Sequence, residues 1–511
     1  MISISRILMC IAAIGLTAFS VSAQEGVARS PIKTVLVIVL DGLRPDYVTP
    51  ELMPALHAFA EQGITAERHH SVFPTVTRVN ASSISTGAYP SVHGMMGNTV
   101  YFPGITDAPK SSGNAQNLIE INENTGNRLQ TATTLAEVIQ GAGGKLFVAS
   151  AGSSGSAYCL NSRVSGGAIV NTELVLPVEL QAKVDEMLGP VPEESFPNTP
   201  LNKRAVDAYL KIGLDFLKPS VTLMWLSDPD HTGHAKGIGS EEHLACLRAV
   251  DAEFARILAE HEMRGIARHT DIIVTSDHGF STHAGKNMGD FMNVESLKPI
   301  LDAHPMARAD GAIYLQNATD DAITAVVKHL QTLPWVGALF TRAAEPGSPM
   351  GVVPGTLSLD LVYYNHERSP QILMDSQWSD DANAMGWKGT TQQTGVAGHG
   401  TSSPWDIHNT LIAGGPSFKA RARSAVPTGN VDIAPTVCRI LGISPAGTMQ
   451  GRVLEELLKD GPDPASIEIN TNRITTSVDL SHETYQLELV QSQAKGGVYV
   501  DYTKVVRTRH K

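Results

Sequence analysis

Residues 34–41 read Thr-Val-Leu-Val-Ile-Val-Leu-Asp, an unbroken apolar and β-branched run that stops on a carboxylate. A strand with one wet face alternates apolar and polar residues, so a continuous run of this length describes a strand covered on both faces, as in a parallel sheet. Downstream, Thr49-Pro50 leads into Leu52, Leu56, Phe59 and Ala60 at helical spacing, with Gly63 where a left-handed cap residue is expected. Together these make one βα unit.

The same grammar recurs outward from it. Thr134–Gln140 reads as helix and Lys145–Ser150 as strand, Ala205–Phe216 as helix and Val221–Leu226 as strand, Glu241–His261 as helix and Asp271–Ser276 as strand. Alternation of this kind predicts an α/β protein with a doubly wound, mostly parallel sheet. Residues 103–128 turn polar and rich in Gly, Asn and Ser, and read as a surface excursion contributing little to the core. The rhythm changes over 291–395, with Ala312–Gln316 as strand, Asp320–Thr332 as helix and short strands near Leu339–Thr341 and Leu359–Tyr364, which predicts an inserted αβ cap. The core, 24–290 and 396–455, resumes at Ile407–Ala413 and closes on a helix over Asp432–Leu441. Beyond 456, Tyr485–Val490 and Val498–Val506 alternate around Gly496-Gly497 as a hairpin extension packed on the core.

At the other end, Arg6 precedes an apolar run from Ile7 to Val21, and Val21-Ser22-Ala23 supplies a small-residue cleavage site. That pattern predicts a signal peptide over 1–23 and a periplasmic or secreted protein, with no later segment apolar enough to span a bilayer. Removing residues 1–23 takes away only Arg6, so the formal charge moves from −12 to −13 and a stable nucleic-acid partner is not expected. Cys10 leaves with the signal; Cys159, Cys246 and Cys438 have no CxxC spacing, so neither a disulfide framework nor a cysteine metal site is expected. Cys246 and Cys438 fall in apolar helical patterns and read as buried thiols.

Three predicted core strands end in acids: Asp41, then Asp228-Pro229-Asp230, then Asp277-His278. Ligands of open α/β sheets bind beyond the carboxyl ends of the strands, so these carboxylates converge on one crevice, where repulsion demands cations. Histidines accompany them. Asp230 and His234 lie four apart, His278 follows Asp277, and His399 sits in Gly398-His399-Gly400. Mixed carboxylate and imidazole ligands suit zinc, and six of them suffice for two ions. Taken singly each residue also reads as a turn, cap or solvated loop position; the conjunction carries the argument.

The last component is Phe73-Pro74-Thr75-Val76-Thr77-Arg78-Val79-Asn80, followed by Thr86-Gly87 and by His93-Gly94-Met95-Met96-Gly97-Asn98. This segment resembles the nucleophile region of the alkaline phosphatase superfamily, in its nucleotide pyrophosphatase/phosphodiesterase branch. The resemblance extends to Leu40-Asp41-Gly42, to Asp230 with His234, to Asp277-His278-Gly279, to Gly398-His399-Gly400 and to Asp432-Ile433-Ala434-Pro435-Thr436, and spans about 34 to 450.

The resemblance implies two Zn²⁺, one held by Asp41, Asp277 and His278, the other by Asp230, His234 and His399. It puts Thr77 in the place of the nucleophile, against an ion, and Asn98 on the phosphoryl oxygen; Thr75 is the competing hydroxyl, and the family's spacing to the asparagine selects Thr77. It further implies a phosphothreonine intermediate and retention at phosphorus. Arg78 stands where many relatives carry a base-stacking aromatic, and reads either as a phosphate or base contact or as an ordinary surface residue. Tyr101 and Phe102 offer an apolar wall for substrate, with core positions as the alternative. Threonine-type monoesterases of the superfamily add a Lys-x-Arg pair where this chain has Ala151 to Tyr158 without a cation, which favours a small phosphodiester or nucleotide substrate over a monoester. Sulfatase chemistry lacks its signature here, and a binding protein that keeps the fold without turnover has no need of a hydroxyl at the metal cluster.

Overall fold

The computed structural model describes residues 33–286 and 290–510; the expected signal peptide lies outside them. Its centre is a nine-stranded sheet in the order Ala422–Ser424, Ile64–Ala66, Leu411–Gly414, Thr270–Thr275, Thr34–Leu40, Val221–Leu226, Leu146–Ser150, Ala168–Asn171, Val175–Leu176. The five strands from Thr270–Thr275 to Ala168–Asn171 run parallel, while Leu411–Gly414 and Val175–Leu176 are antiparallel to their neighbours. The α/β, mostly parallel architecture follows.

The opening run shows why. Val35, Val37 and Val39 enter one apolar cluster, and Leu36, Ile38 and Leu40 enter another on the opposite face, all at most 2% exposed. Helices cover both faces, and each of these side chains is worth roughly 1.5–3 kcal/mol of burial. On one face Glu241–Met263 packs with Pro54–Gln62; on the other lie Thr77–Thr86, Ser154–Leu160 and Ile433–Leu441. Cys159, Cys246 and Cys438 are free thiols buried in these layers.

Several local expectations need correction. Gly63 is not left-handed: its φ is −96°, and a Cβ there would stand 2.3 Å from the Ala413 carbonyl, so close approach of a strand is what glycine serves. The helix expected over 205–216 begins at Thr199–Asp207 and continues as a wider helix over Ala208–Leu217. Leu359–Val362 is a single 3₁₀ turn after the short strand Leu357–Ser358. Residues 103–128 are no mere excursion: Ala115–Asn124 is a helix whose Leu118 and Ile121 are buried in the main core, together with Leu129. Apart from Asn122, which is buried and donates to Tyr158 Oη, its polar residues lie on the outer side, so composition masked an amphipathic element.

Between 306 and 376 a second sheet forms in the order Met306–Ala309, Ala312–Leu315, Ile372–Ser376, Val336–Thr341, Leu357–Ser358, with helix Asp320–Gln331 closing its own apolar cluster. The following strands Trp378–Ala382 and Lys388–Thr391 instead join Ser281–His283 and Ala397–Gly398 in a separate four-stranded sheet. The C-terminal hairpin gains a third strand. Asn470–Asp479, Glu483–Ala494 and Gly497–Arg509 form an antiparallel sheet, and the tight turn is Lys495-Gly496, both with positive φ.

That sheet touches everything around it. Tyr499 Oη donates to Asp432 at 2.8 Å, His70 Nε2 lies 2.9 Å from Asp501, and Thr503 N–H donates to Ser402 O at 3.2 Å. On the other side Tyr485 Oη donates to Gly337 O at 2.7 Å and Arg507 to Gln331 O and Leu333 O. His70, His408 and Asp501 also form a compact group of ligand-type atoms, but the Arg68 guanidinium 3.4 Å from Asp501 already supplies the cation there.

Candidate active site

The central strand ends at Leu40, paired with Leu226 on one side, while Val39 pairs with Thr275 on the other. This register brings the three strand ends level, and with them Asp41, Asp230 and Asp277. Asp41 is 5% exposed and Asp277 fully buried. Helix Asp230–Lys236 starts at its first acid and places His234 one turn on. His278 follows Asp277 directly, and the loop after Ala397–Gly398 carries His399 over the His278 ring, with centroids 3.4 Å apart.

Each imidazole has its Nδ1 fixed on a main-chain carbonyl: His278 on Gly279 at 2.9 Å, His234 on Ala397 at 2.9 Å, His399 on Thr75 at 2.8 Å. In the neutral ring that leaves the Nε2 lone pair directed inward. There it meets carboxylate oxygens. His278 Nε2 lies 3.0 Å from Asp277 and 3.4 Å from Asp41; His234 and His399 Nε2 lie 3.1 and 3.3 Å from Asp230. Asp41 Oδ1, Asp230 Oδ1 and Asp277 Oδ2 are buried with no hydrogen-bond partner.

Burial, then repulsion from Asp277 and Asp230, push the Asp41 carboxyl well above the ordinary carboxylate range. Burial works against charge on Asp277 and Asp230 too, yet the His278 ring for the first, and the His234 and His399 rings for the second, hold them below it. Acceptor faces acceptor throughout, which bound cations satisfy. The atoms divide into two groups, Asp41/Asp277/His278 and Asp230/His234/His399, each with ligand atoms within 4.8 Å of one another. Nitrogen and oxygen donors in this mixture fit zinc.

Thr77 opens the helix Thr77–Thr86, where main-chain N–H groups lack intrahelical partners and favour an anion, and its Oγ1 lies 3.4 Å from His278 Nε2. Thr75 is occupied otherwise: its hydroxyl donates to Thr401 O at 2.7 Å and accepts from Gly400 N–H at 3.1 Å. Asn98 Oδ1 accepts the Arg78 N–H at 3.1 Å, which leaves the Asn98 amide group as a donor beside Thr77.

The sequence matches the profile of type I phosphodiesterases / nucleotide pyrophosphatases over residues 35–401. The chain belongs to this family. Its relatives include a bis(5′-adenosyl)-triphosphatase of Mus musculus, 24% identical over 426 residues, 80% of this chain and 78% of the relative. Another is an uncharacterized pyrophosphatase/phosphodiesterase of Schizosaccharomyces pombe, 24% identical over 437 residues, 82% of this chain and 79% of the relative. Among solved structures, murine ectonucleotide pyrophosphatase/phosphodiesterase 5, as an inactive variant in complex with AMP, superposes with a TM-score of 0.60 at 18% identity, over 84% of this chain and all of that one. The fold is thus shared with a family of phosphodiester and pyrophosphate hydrolases whose catalysis depends on metal.

Two cavities flank the family's motif residues. One of about 620 Å³ is lined by Asp41, Thr77, Arg78, Ser153, Glu173 and Asp230. The other, of about 450 Å³, runs from Asn98, His234 and His399 to Phe291, Arg308 and Trp335 of the 291–395 segment. Arg78 belongs to the first; burial lowers its proton affinity, its Nε is without a partner, and among the described residues it forms no ion pair. Tyr101 and Phe102 line neither cavity. They are 8% and 0% exposed in the main core, Tyr101 edge-on to Tyr314 and Phe102 beneath the Arg368 guanidinium, so the expected apolar wall is a core position.

Sequence reading missed the supports. Trp225 Nε1 donates to Asp41 Oδ2 at 2.8 Å; Asp228 fixes the start of the His234 helix by accepting from Thr232 N–H and Oγ1 and from Asn198 N–H. Asp406, accepting from the Thr401 N–H, anchors the far side of the His399 loop. Trp225 sits one residue before a strand end beside an acid-bearing strand, a signal available in the sequence; the other two have none.

Proposed function

We propose that this chain is an exported, two-zinc phosphodiesterase that cleaves nucleotide phosphodiester or pyrophosphate bonds through a phosphothreonine on Thr77. What supports this most is the inward set of three Nε2 lone pairs and three unpartnered carboxylate oxygens beside the Thr77 hydroxyl at a helix N-terminus. Asp41, Asp277 and His278 would hold one ion and Asp230, His234 and His399 the other. When bound, such ions supply Lewis-acid charge that makes a hydroxyl or water nucleophilic at neutral pH and offsets charge on the phosphoryl group.

Thr77 Oγ1 gives up its proton to solvent and attacks phosphorus, and as that bond forms the bond to the leaving oxygen breaks, its electron pair going with the departing arm. Water then displaces Thr77 in a second in-line step, which gives net retention. The Asn98 amide, oriented because its oxygen is held by Arg78 N–H, donates to a non-bridging oxygen, and the N-terminal turn of Thr77–Thr86 adds further positive potential. Two arms need two spaces, and the cavity lined by Thr77 and the one lined by Asn98 supply them. The relatives named bis(5′-adenosyl)-triphosphatase direct the choice of arms toward nucleotides. Export rests on the leader pattern of residues 1–23; no helix among the described residues is long and apolar enough to cross a membrane. Phosphomonoester hydrolysis is the second reading, favoured by the unpaired Arg78, whose charge would compensate a dianionic phosphate.

Rates on bis-p-nitrophenyl phosphate and p-nitrophenyl phosphate, with metal content measured on the same sample, test both readings. The diester reading expects faster diester turnover, about two zinc per chain, and loss of activity on chelation with recovery on adding zinc. A Thr77→Ala variant that turns over the diester as fast as the wild type removes the proposed mechanism.

A further inference from the structure

The 450 Å³ cavity contains a cation that the chemistry above does not use. Arg308 leaves the strand Met306–Ala309 with its guanidinium over the Phe291 ring, 4.5 Å from the centroid, and Trp335 meets Phe291 edge-on at 4.8 Å. All three line the cavity that reaches His234, His399 and Asn98. Among the described residues the Arg308 side chain makes no ion pair within 4.0 Å and no hydrogen bond, Asp290 acting on its charge only from farther off. The acid nearest in sequence that shares the cavity, Asp310, is engaged by the Thr99 N–H at 2.9 Å.

A guanidinium offers five N–H donors in a planar fork, and with one flat face covered by Phe291 it is the fork's edge that stays open. An edge of parallel N–H groups matches the oxygens of a phosphate. Arg78 lies in the other cavity with Thr77, so the two arginines line separate spaces. We propose that Arg308, backed by Phe291 and Trp335, is the residue of this chain that contacts a phosphate on the substrate arm lying in the 450 Å³ cavity, and so sets how strongly a phosphorylated arm is preferred over an unphosphorylated one. This rests on the phosphodiesterase reading.

The test compares two substrates with the same nucleoside 5′-phosphoryl group: a nucleoside triphosphate, which leaves pyrophosphate, and the p-nitrophenyl ester of the nucleoside monophosphate, which leaves p-nitrophenolate, an arm without phosphate. For Arg308→Gln, kcat/KM on the triphosphate is expected to fall roughly 10- to 100-fold, the cost of a lost charged hydrogen-bond pair, with the ester within about threefold of wild type. Arg308→Lys, which keeps charge without the fork, should recover part of the loss. Equal effects on the two substrates, or none on either, overturn the subsite. Calorimetry with inorganic pyrophosphate on the zinc-loaded proteins separates the two ideas: if wild type cleaves neither substrate yet loses pyrophosphate affinity on Arg308→Gln, the subsite stands and the phosphodiesterase reading falls.

Discussion

Asn98 illustrates how a single side chain is aimed. Its amide oxygen accepts from Arg78 N–H, and its main-chain carbonyl accepts both the N–H and the hydroxyl of Ser112, at 2.8 and 2.7 Å. With its amide oxygen and main-chain carbonyl both held, the amide N–H₂ is left as the donor of this side chain, one residue from Thr77 through its Arg78 contact. On the proposed mechanism Asn98→Ala lowers kcat on bis-p-nitrophenyl phosphate by about 10²–10³ with a smaller change in KM; Asn98→Asp, which replaces the donor with a charge, should lose at least as much. An unchanged kcat in both would take Asn98 out of the reaction. The six ligand-type residues were legible because strand ends, acids and histidines coincide in the sequence. What holds them was not, since Trp225, Asp228 and Asp406 act through contacts between segments far apart in the chain.

Among the elements, helix Ala115–Asn124 and the loop before it bear directly on Asn98. Ser112 and Gly113 lie against Gly155, where a Cβ would fall 1.8 Å from the Ser112 carbonyl, and Gly155 N–H donates to Gly113 O at 2.9 Å. The helix anchors this loop through Leu118 and Ile121, so its packing and the aim of Asn98 are one problem. Leu118→Ala should cost about 2–5 kcal/mol, read from denaturant unfolding, and should lower kcat more than loss of folded protein explains; a destabilised variant with wild-type kcat would uncouple the two. The sequence concealed this helix because most of its residues are polar and only one face is apolar. The strands of the central sheet were plain for the opposite reason: both faces are buried, so no polar residue interrupts the run.

At the scale of the whole molecule, the C-terminal sheet ties together regions that also pack on each other directly, as Phe73 does on Phe340 and Tyr101 on Tyr314. Tyr485, Leu487 and Leu489 are fully buried, and the sheet's hydrogen bonds run to Gly337 and Gln331 on one side and to Asp432 and Ser402 on the other. Tyr485→Ala should therefore lower stability by about 3–5 kcal/mol, visible as a shift of a single cooperative melting transition; two separated transitions would mean that the sheet does not unite the regions it touches. The hairpin was readable from alternation around the glycines, whereas Asn470–Asp479 was not, because apart from Ile474 and Val478 it offers nothing apolar to either face.

The position of that sheet also orders events in time. Thr503 N–H holds Ser402, three residues after His399, yet Thr503 is synthesised a hundred residues later than the loop it fastens. A growing chain therefore has every strand end of the crevice synthesised while the His399 loop still waits for its latch. The fastening comes from the far end, and a polypeptide interrupted before residue 500 carries all six ligand-type residues without the contact that holds the loop of the last of them.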